Sequence, residues 1–378
     1  MRHLVYVINA GWYFELHWLE RAREMISNGF KVSVIVPNCQ TDTLVSLNGF
    51  GIDVYQIKMS RTGVNPFGEI SYLHKLSKTI GALKPDIVHS VTIKPNLYSS
   101  IICTLRGIRH VSTYAGLGTL KVRPGIISSC IRKITFGMIR KFSRCNHAYY
   151  LFENNEDKDY FVETGIVPEN RSIRVYGAGV NISQYSYSSV PVDTEEFKVF
   201  FASRLLKDKG LNFLVDAVKK LNVKGYKVTL YIAGIFDNDS PLSYTESEID
   251  TISKLPFVTW LGQRNDIPLL IESSDVVCLP TTYGEGVPRI LIESASVGRP
   301  IITTPLGGCK DICKDGFNGF IAAEKSSEDI ADKLELLINN YPLRKRFGEN
   351  GRKLVEDKFT NKSVMKQHFD IYEKVINE

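Results

Sequence analysis

The chain has 378 residues and a hydrophobic content of 43%, which is ordinary for a folded protein and excludes extended disorder. No run approaches the roughly 18 uninterrupted apolar residues of a membrane-spanning helix, and the seven cysteines contain no CxxC pair. We therefore expect no membrane span and no zinc site, and we favour a reducing, cytoplasmic compartment. The net charge of +6 is uneven, because residues 87–152 contain ten Lys and Arg and no Asp or Glu, which predicts an anionic partner or a solvated basic face.

The first half of the chain alternates short β-rich runs with segments of helical period. The predicted strands span residues 3–8, 31–36, 53–57, 86–90, 109–113 and 148–152. The predicted helices span residues 16–28, 70–83 and 126–144. This alternation predicts the α/β class, with a parallel sheet covered by helices on both faces.

The alternation restarts after residues 186–196, a polar segment containing Pro191 that predicts an interdomain linker. The second series of predicted strands spans residues 197–202, 227–233, 258–262, 275–280, 300–304 and 320–323. Two Rossmann-like domains are therefore expected at 1–185 and 197–360, with a C-terminal helix at 361–378. We expect them to face a deep interdomain cleft, because ligands of such sheets bind beyond the carboxyl ends of the strands.

An anion site is predicted where the strand that ends at Leu279 is followed by a glycine-rich loop. Pro288 suits the first position of a helix over residues 289–297, which Gly298 would end. The free N–H groups at the start of this helix favour a phosphate. Glu285 precedes the helix and Glu293 lies one turn inside it. Two carboxylates would repel a phosphate, so cations are needed nearby.

Arg204 and Lys209 follow the first strand of the same half and supply those cations. An arginine grips a diphosphate through two parallel hydrogen bonds, whereas a lysine adds a compact charge. Either residue alone is explained equally well as an ordinary surface charge. Four charged residues at strand–helix junctions among several glycines favour a ligand site.

These motifs resemble the retaining glycosyltransferases of family 4, which have the GT-B fold. The resemblance rests on Arg204, Lys209-Gly210, Glu285 with Glu293, Gly298-Arg299-Pro300 and Gly307-Gly308. It implies that Arg204 and Lys209 bind the donor diphosphate, that Glu285 contacts the sugar hydroxyls and that Glu293 contacts the ribose of the nucleotide. The catalytic residues it implies are Glu285, Arg204 and Lys209. The implied donor-binding residues are Gly11, Arg204, Lys209, Gly262, Gln263, Glu285, Gly286, Val287, Pro288 and Glu293.

The acceptor is expected to contact the first half. Residues 88–96 and 116–118 are similar to the bacterial subgroup that extends sugars on undecaprenyl diphosphate, and Lys94 would meet an acceptor phosphate. Tyr13 is a candidate acceptor platform, and His89 fits an acceptor contact or a structural histidine equally well. The histidine that many relatives place after the strand at 109–113 is absent, so no general base is assigned. In such enzymes the leaving diphosphate helps to take the acceptor proton.

The resemblance implies a metal-independent enzyme with a UDP-sugar as co-substrate and no cofactor. Asp237-Asn238-Asp239 forms an Asp-x-Asp motif, which in other glycosyltransferase folds holds a metal ion. Here it lies in a polar stretch with Ser240 and Pro241, and we interpret it as a turn.

Helix 126–144 is expected to lie on a membrane. Ile127, Ile131, Ile134, Met138 and Phe142 share one helical face, which we expect to pack on the domain. The opposite face combines basic and apolar side chains, a pattern that favours docking on anionic lipid, although a solvated face has the same charges. The expected membrane residues are Arg132, Lys133, Phe136, Ile139, Arg140 and Arg144. No nucleic-acid-binding motif is present, so nucleic acid is not an expected partner.

The sequence thus predicts a retaining hexosyltransferase on the inner face of the plasma membrane. It would move a hexose or N-acetylhexosamine from a UDP-sugar to an undecaprenyl-diphosphate-linked saccharide in O-antigen, capsule or glycan assembly. Two alternatives stay open: a sugar-nucleotide epimerase of the same fold and a non-catalytic protein that binds nucleotide sugars.

Overall fold

The computed structural model describes residues 1–59, 66–117, 125–143, 147–192, 195–237 and 240–378. These residues form two compact units. The first contains residues 1–178 and 362–378, and the second contains residues 179–361.

The boundary between the units differs from the domain limits expected from sequence. The described part of the expected linker at 186–196 belongs to the second unit. Ser188 shows why, because its N–H donates to the carbonyl of Val297 at 3.0 Å and its carbonyl accepts from Arg299 at 2.7 Å. The segment is therefore fixed by hydrogen bonds instead of connecting two domains freely.

The described residues of the first unit contain a seven-stranded sheet in which every neighbouring pair is parallel, in the order β3-β2-β1-β4-β5-β6-β7. The strands are β1 (His3–Val7), β2 (Lys31–Val36), β3 (Ile52–Gln56), β4 (Ile87–Val91), β5 (Arg109–Tyr114), β6 (Ala148–Phe152) and β7 (Ser172–Arg174). The helices up to β7 are α1 (Gly11–His17), α2 (Leu19–Ser27), α3 (Thr41–Gly49), α4 (Pro66–Leu83), α5 (Ile93–Arg106), α6 (Ile126–Ser143) and α7 (Asn155–Glu163).

The described residues of the second unit contain a six-stranded parallel sheet in the order β10-β9-β8-β11-β12-β13. The strands are β8 (Phe197–Arg204), β9 (Val228–Ile235), β10 (Val258–Gly262), β11 (Val276–Leu279), β12 (Ile301–Thr303) and β13 (Gly319–Ile321). The helices are α8 (Leu211–Val223), α9 (Glu246–Ser253), α10 (Ile267–Glu272), α11 (Arg289–Val297), α12 (Cys309–Ile312), α13 (Ser327–Ile338) and α14 (Tyr341–Lys358), and α15 (Asn361–Asn377) then returns to the first unit.

The final helix, α15, completes the core of the first unit. Its residues Ile371, Tyr372 and Val375 are buried in the same apolar cluster as Tyr6 and Trp18. Burial of apolar surface is the main stabilising term in folding, so the last turns of the chain contribute to the stability of the N-terminal sheet.

The alternation of buried strands and helices predicted from sequence is present in both units. One difference lies after β1, where the single helix expected at 16–28 is two helices. The first begins at Gly11 and ends before Trp18, whose backbone departs from helical geometry at φ −121° and ψ −16°. Gly11 and Tyr13, expected in the donor and acceptor sites, therefore lie in the first turn of α1.

Candidate functional site

The loops that follow β8 and β11 are bound to each other at the carboxyl edge of the second sheet. The N–H of Thr282 donates to the carbonyl of Asp208 at 2.7 Å. Gly210 has a φ of +78°, and a Cβ at this position would lie 1.9 Å from the carbonyl oxygen of Pro280. Only glycine allows both this backbone conformation and this approach, which explains the Lys209-Gly210 pair.

Lys209 and Glu285 form a buried ion pair between these two loops. Lys209 is 6% exposed, and its Nζ donates to Oε2 of Glu285 at 2.5 Å. Burial is the largest single effect and lowers the pKa of Lys209, but the charge and hydrogen bond of Glu285 together with Tyr283 raise it, and the net shift is upward. Lys209 is therefore a fixed ammonium group at neutral pH, and its Nζ lies 4.9 Å from the ring centre of Tyr283.

Arg204, the last residue of β8, forms the second ion pair of the site. Its Nη1 donates to Oδ2 of Asp237 at 2.6 Å. Burial lowers the pKa of Arg204, whereas Tyr283 and Asp237 raise it, and the net direction is upward. Asp237 follows β9, the neighbour of β8, so parallel pairing places its carboxylate beside the arginine.

Two consecutive glycines hold the backbone at Glu285. A Cβ on Gly307 would lie 2.4 Å from the carbonyl oxygen of Glu285, and one on Gly308 would lie 2.4 Å from the carbonyl carbon of Gly286. The N–H of Gly308 also donates to the carbonyl of Glu285 at 2.9 Å. The Gly307-Gly308 pair thus permits a backbone contact that fixes the loop carrying the carboxylate.

Helix α11 has the expected bounds, with one difference at its start. Pro288 is the residue before the first helical turn, not the first helical residue, because its ψ of 124° is extended. Gly298 ends the helix in the left-handed conformation at φ +87°. Gly286, Val287 and Pro288 are all buried.

Glu293 lies on α11 and is buried. Its Oε1 accepts from Nε of Arg289 at 2.6 Å, and the buried Tyr185 influences the same carboxylate. Burial raises the pKa of Glu293, and Arg289 and Tyr185 act in the opposite direction.

The last two residues of the expected donor set lie at the edge strand β10. Gly262 ends this strand at a register shift, with a φ of +71°. Gln263 follows it and is exposed. Both lie at the carboxyl edge of the sheet that also carries Arg204, two strands away in the order β10-β9-β8.

Gly11, Tyr13 and Lys94 belong to the first unit. A Cβ on Gly11 would lie 2.8 Å from the carbonyl oxygen of Asn38, so glycine is needed for the close approach of the segment after β2. Tyr13 is half-buried, and its ring centre lies 4.5 Å from that of His17, with the two rings tilted by 39°. Lys94 pairs with Glu69 at 2.7 Å at the start of α5.

His89 does not fit an acceptor contact. It is fully buried in β4 and bonded to the hydroxyls of Tyr372 and Thr113. Burial lowers its pKa well below the ordinary value, so the ring is neutral at physiological pH. Of the two roles expected from sequence, the structure supports the structural histidine, and its partner Tyr372 is 283 residues away in the chain.

The expected faces of α6 are correct for Met138 and Phe142, which pack against the core, but wrong for three other residues. Phe136 and Ile139 were expected on the exposed basic face, but they are 8% and 2% exposed and lie in the core with Phe161. Ile134 was expected inside and is 62% exposed. Phe136 and Ile139, one turn apart, lie on the buried face of the helix. The apolar residues alone do not identify this face, because they also occur on the exposed side.

The basic residues of α6 differ in their surroundings. Lys133 and Lys141 are exposed, Arg132 is half-buried, and Arg140 is exposed but donates to the carbonyls of Thr164 and Gly165. Arg144, Asn238 and Asp239 lie outside the described residues. Within the described ranges, no helix is long and apolar enough to cross a bilayer, and no three His, Cys, Asp or Glu side chains are grouped as metal ligands.

Three site residues were missed from the sequence: Asp237 as the partner of Arg204, and Arg289 and Tyr185 as the partners of Glu293. Asp237 follows a strand next to β8, and a carboxylate at the end of a predicted strand could have been recognised from the sequence. Arg289 and Glu293 are four residues apart on a predicted helix, and that spacing places them side by side. Tyr185 carried no comparable signal.

Two family models match this chain. The model described as "Glycosyl transferases group 1" matches residues 187–354, which include the Arg204, Lys209, Glu285 and Glu293 positions. The model described as "Glycosyl transferase 4-like" matches residues 3–144. The chain belongs to the family 4 retaining glycosyltransferases. Its two parallel sheets are those of the GT-B fold.

Similar proteins agree with this glycosyltransferase assignment. The capsular polysaccharide biosynthesis glycosyltransferase CapM of Staphylococcus aureus is 26% identical over 82% of this chain and 83% of its own. The N,N'-diacetylbacillosaminyl-diphospho-undecaprenol alpha-1,3-N-acetylgalactosaminyltransferase of Campylobacter jejuni is 22% identical over 92% of each. The crystal structure of Anabaena HepE in complex with UDP has a TM-score of 0.77 at 16% identity, covering 99% of this chain and 100% of that one.

Proposed function

We propose that this glycosyltransferase moves a hexose or N-acetylhexosamine, with retention, from a UDP-sugar to a lipid-diphosphate-linked saccharide in bacterial polysaccharide or glycan assembly. The observation that carries the donor part is the pair of cations at the carboxyl edge of the second sheet, the half-buried Arg204 and the buried Lys209. The printed names of the Staphylococcus and Campylobacter relatives support the acceptor class. UDP in the HepE structure supports the nucleotide.

The role proposed for Arg204 and Lys209 is to stabilise the leaving diphosphate. Both groups are already desolvated and oriented by Asp237 and Glu285, so little reorganisation is needed when charge develops on UDP. Fixed charges in a water-poor site act more strongly than the same charges in water. The N-terminus of α11 adds free N–H groups next to Glu285.

Glu285 is proposed to accept hydrogen bonds from the donor sugar. Its Oε2 receives the bond from Lys209, and its backbone is fixed by Gly308. A carboxylate held in this way presents its remaining lone pairs to sugar hydroxyls in one orientation. Glu293 is proposed to accept from the ribose of the nucleotide.

The acceptor is proposed to bind the first unit, with Lys94 near its diphosphate and Tyr13 and Gly11 near the reacting sugar. Lys94 pairs with Glu69, which keeps the ammonium group fixed at the start of α5. His89 is not part of this proposal, because it is fully buried. Without an assigned base, the acceptor proton passes to the departing diphosphate.

The test is an incubation of the purified protein with a panel of UDP- and GDP-sugars, with and without lipid-linked acceptor. We expect one UDP-sugar to be consumed only when acceptor is present, with a glycosylated lipid product of retained anomeric configuration. A changed nucleotide sugar without acceptor would indicate an epimerase. Binding without turnover in either condition would indicate a non-catalytic protein.

The charges of α6 support a further part of this proposal, peripheral docking on the cytoplasmic face of the plasma membrane. With Phe136 and Ile139 in the core, the exposed residues of α6 include Lys133, Ile134, Arg140 and Lys141. Each basic residue near an anionic bilayer contributes about 1 kcal/mol, and Ile134 adds an apolar contact.

Vesicle sedimentation tests the docking. The double variant Lys133→Gln and Lys141→Gln should bind anionic vesicles more weakly than the parent, and the difference should vanish at high salt. Lys75→Gln with Lys78→Gln removes the same charge from exposed positions of α4 and should have a smaller effect. Equal sedimentation of both double variants would contradict docking through α6.

A further inference from the structure

The first turn of helix α5 is held in a fixed position at the carboxyl edge of the first sheet. Thr92, between β4 and α5, has a φ of +74° and a ψ of 163°, a backbone conformation that β-branched residues rarely adopt. Its N–H donates to the carbonyl of Thr113 at 3.1 Å, and its carbonyl accepts from the N–H of Asn96 at 2.9 Å. The Asn96 side chain donates to the same Thr113 carbonyl at 2.9 Å. Strand β5 therefore fixes the backbone that carries Lys94.

Glu69 connects this turn to helix α4. Its Oε1 accepts from Nζ of Lys94 at 2.7 Å, and its Oε2 accepts from the hydroxyl of Tyr98. Lys94 and Tyr98 are four residues apart on α5, a spacing that brings two side chains to the same side of a helix. Both oxygens of the Glu69 carboxylate are thus bonded to α5.

The ring of Tyr98 is packed against the core, which limits the positions of its hydroxyl. Its centre lies 5.5 Å from that of the Tyr72 ring, which is buried, and the ring packs against two apolar clusters of the first unit. Burial and the neighbouring Glu69 carboxylate raise the pKa of Tyr98, so the phenol keeps its proton at neutral pH and donates to Glu69. Tyr98 therefore holds one carboxylate oxygen from a fixed position.

We propose that Tyr98 is a positioning residue, which acts through Glu69 to hold the Lys94 ammonium group in one position for the acceptor diphosphate. This inference rests on the proposed function, in which Lys94 lies near that diphosphate. A lysine side chain is a flexible four-carbon chain, so ordering it costs conformational entropy when a ligand binds. A network that orders the side chain before binding reduces this cost. An ammonium group has three N–H donors, so it can bind a carboxylate and a phosphate oxygen together.

The tyrosine hydroxyl distinguishes this network from an ordinary ion pair. A partly exposed pair of one lysine and one carboxylate is weak, because two flexible side chains must share one geometry. The second bond, from Tyr98, fixes the plane of the Glu69 carboxylate and with it the position of the lysine. Glu69 also lies in the first turn of α4, where the helix dipole favours a carboxylate.

Calorimetric titration with geranyl diphosphate and with geraniol tests the proposal, because the two ligands differ only in the diphosphate. Saturating UDP is present, so that the ligand does not bind at Arg204 and Lys209. We expect the parent to bind geranyl diphosphate more tightly than geraniol by about tenfold or more. Tyr98→Phe and Glu69→Asp leave the net charge unchanged. Each should weaken binding of the diphosphate by about threefold to tenfold and leave geraniol binding unchanged.

Ser77→Ala is the matched control. It removes a hydrogen bond from Arg106 that also links α4 with α5, and it should keep the parent's preference for the diphosphate. Equal loss of affinity for both ligands in Tyr98→Phe would assign the tyrosine a structural role and overturn the proposal. If Tyr98→Phe does not fold, Glu69→Asp makes the same test.

Lys94→Gln separates this proposal from the proposed function. Loss of the preference in Lys94→Gln, with the full preference kept in Tyr98→Phe and Glu69→Asp, would overturn the positioning role alone. A full preference in Lys94→Gln, or a parent that binds both ligands equally, would contradict the proposed acceptor role of Lys94 itself.

Discussion

Polar groups with low exposure occur in both units, and the buried histidines of the first unit differ in charge from three ion pairs of the second. In the first unit, burial lowers the pKa of His110 and of His368 to about 3, and His89 is shifted in the same direction. These rings are neutral; those of His89 and His368 pack against Trp18 and Tyr372, and that of His110 is hydrogen-bonded to Ser90. In the second unit, the pairs Lys209–Glu285, Arg204–Asp237 and Arg289–Glu293 are ionic.

We interpret this difference as one between polar groups that stabilise the fold and polar groups that bind a ligand. A neutral histidine that is hydrogen-bonded in a core costs little and stabilises one packing arrangement. Buried ion pairs are expensive to desolvate and are weak stabilisers, so their presence at strand ends indicates another use. The desolvation free energy of such a pair is offset when a charged ligand replaces or joins one of its partners, as we propose for the donor diphosphate.

The largest effect is expected when a cation of the second unit is removed. Arg204→Ala and Lys209→Ala should each reduce turnover by about 100-fold to 1000-fold, the range measured for deleting one donor to a developing negative charge. Steady-state kinetics with the identified UDP-sugar measure the loss. Circular dichroism should show that both variants fold.

Lys207→Ala is the matched control for these variants. Lys207 lies two residues before Lys209 in the same loop, but it is exposed and pairs with Glu248. Its removal should leave turnover within twofold of the parent. Near-normal turnover in Arg204→Ala would contradict the assigned role of that arginine.

A second prediction concerns the corrected face of α6. Phe136→Ser should destabilise the protein by about 3 kcal/mol, because it leaves a cavity in the core and buries a hydroxyl. Ile134→Ser, two residues away on the exposed side, should change stability by less than about 0.5 kcal/mol. Urea denaturation measures both values, and equal effects would mean that the assigned faces are incorrect.

The smallest effect is expected from the histidines of the first unit. A histidine with an ordinary pKa of 6.5 when unfolded and about 3 when folded binds a proton more readily in the unfolded state, so acid destabilises the fold. Between pH 7.5 and 5, His368 alone should account for about 2 kcal/mol. The free energy of unfolding should therefore fall less steeply in His368→Gln than in the parent, and parallel slopes would contradict the prediction.

Much of the fold was readable from local pattern. Buried strands of parallel sheets are nearly continuous apolar runs, and β2, β6 and β10 have the predicted bounds. Helix α11 was bounded correctly because Pro288 and Gly298 are strong local signals. The Arg204, Lys209 and Glu285 positions followed from charged residues at strand ends.

The remaining features depend on contacts between residues that are far apart in the sequence, and local sequence patterns do not predict such contacts. The structural role of His89 is set by Tyr372, a partner 283 residues away. The faces of α6 were assigned wrongly because isoleucines, phenylalanines and methionines lie all around that helix. Packing against Phe161 decides which of them are buried.

The most direct test of the central claim compares the binding of UDP and uridine by calorimetry. If Arg204 and Lys209 bind the diphosphate, the parent should bind UDP at least tenfold more tightly than uridine. Arg204→Ala and Lys209→Ala should lose most of that advantage while uridine affinity stays unchanged, and Lys207→Ala should retain it. A parent that binds both ligands equally, or variants that keep the full preference for UDP, would contradict the account.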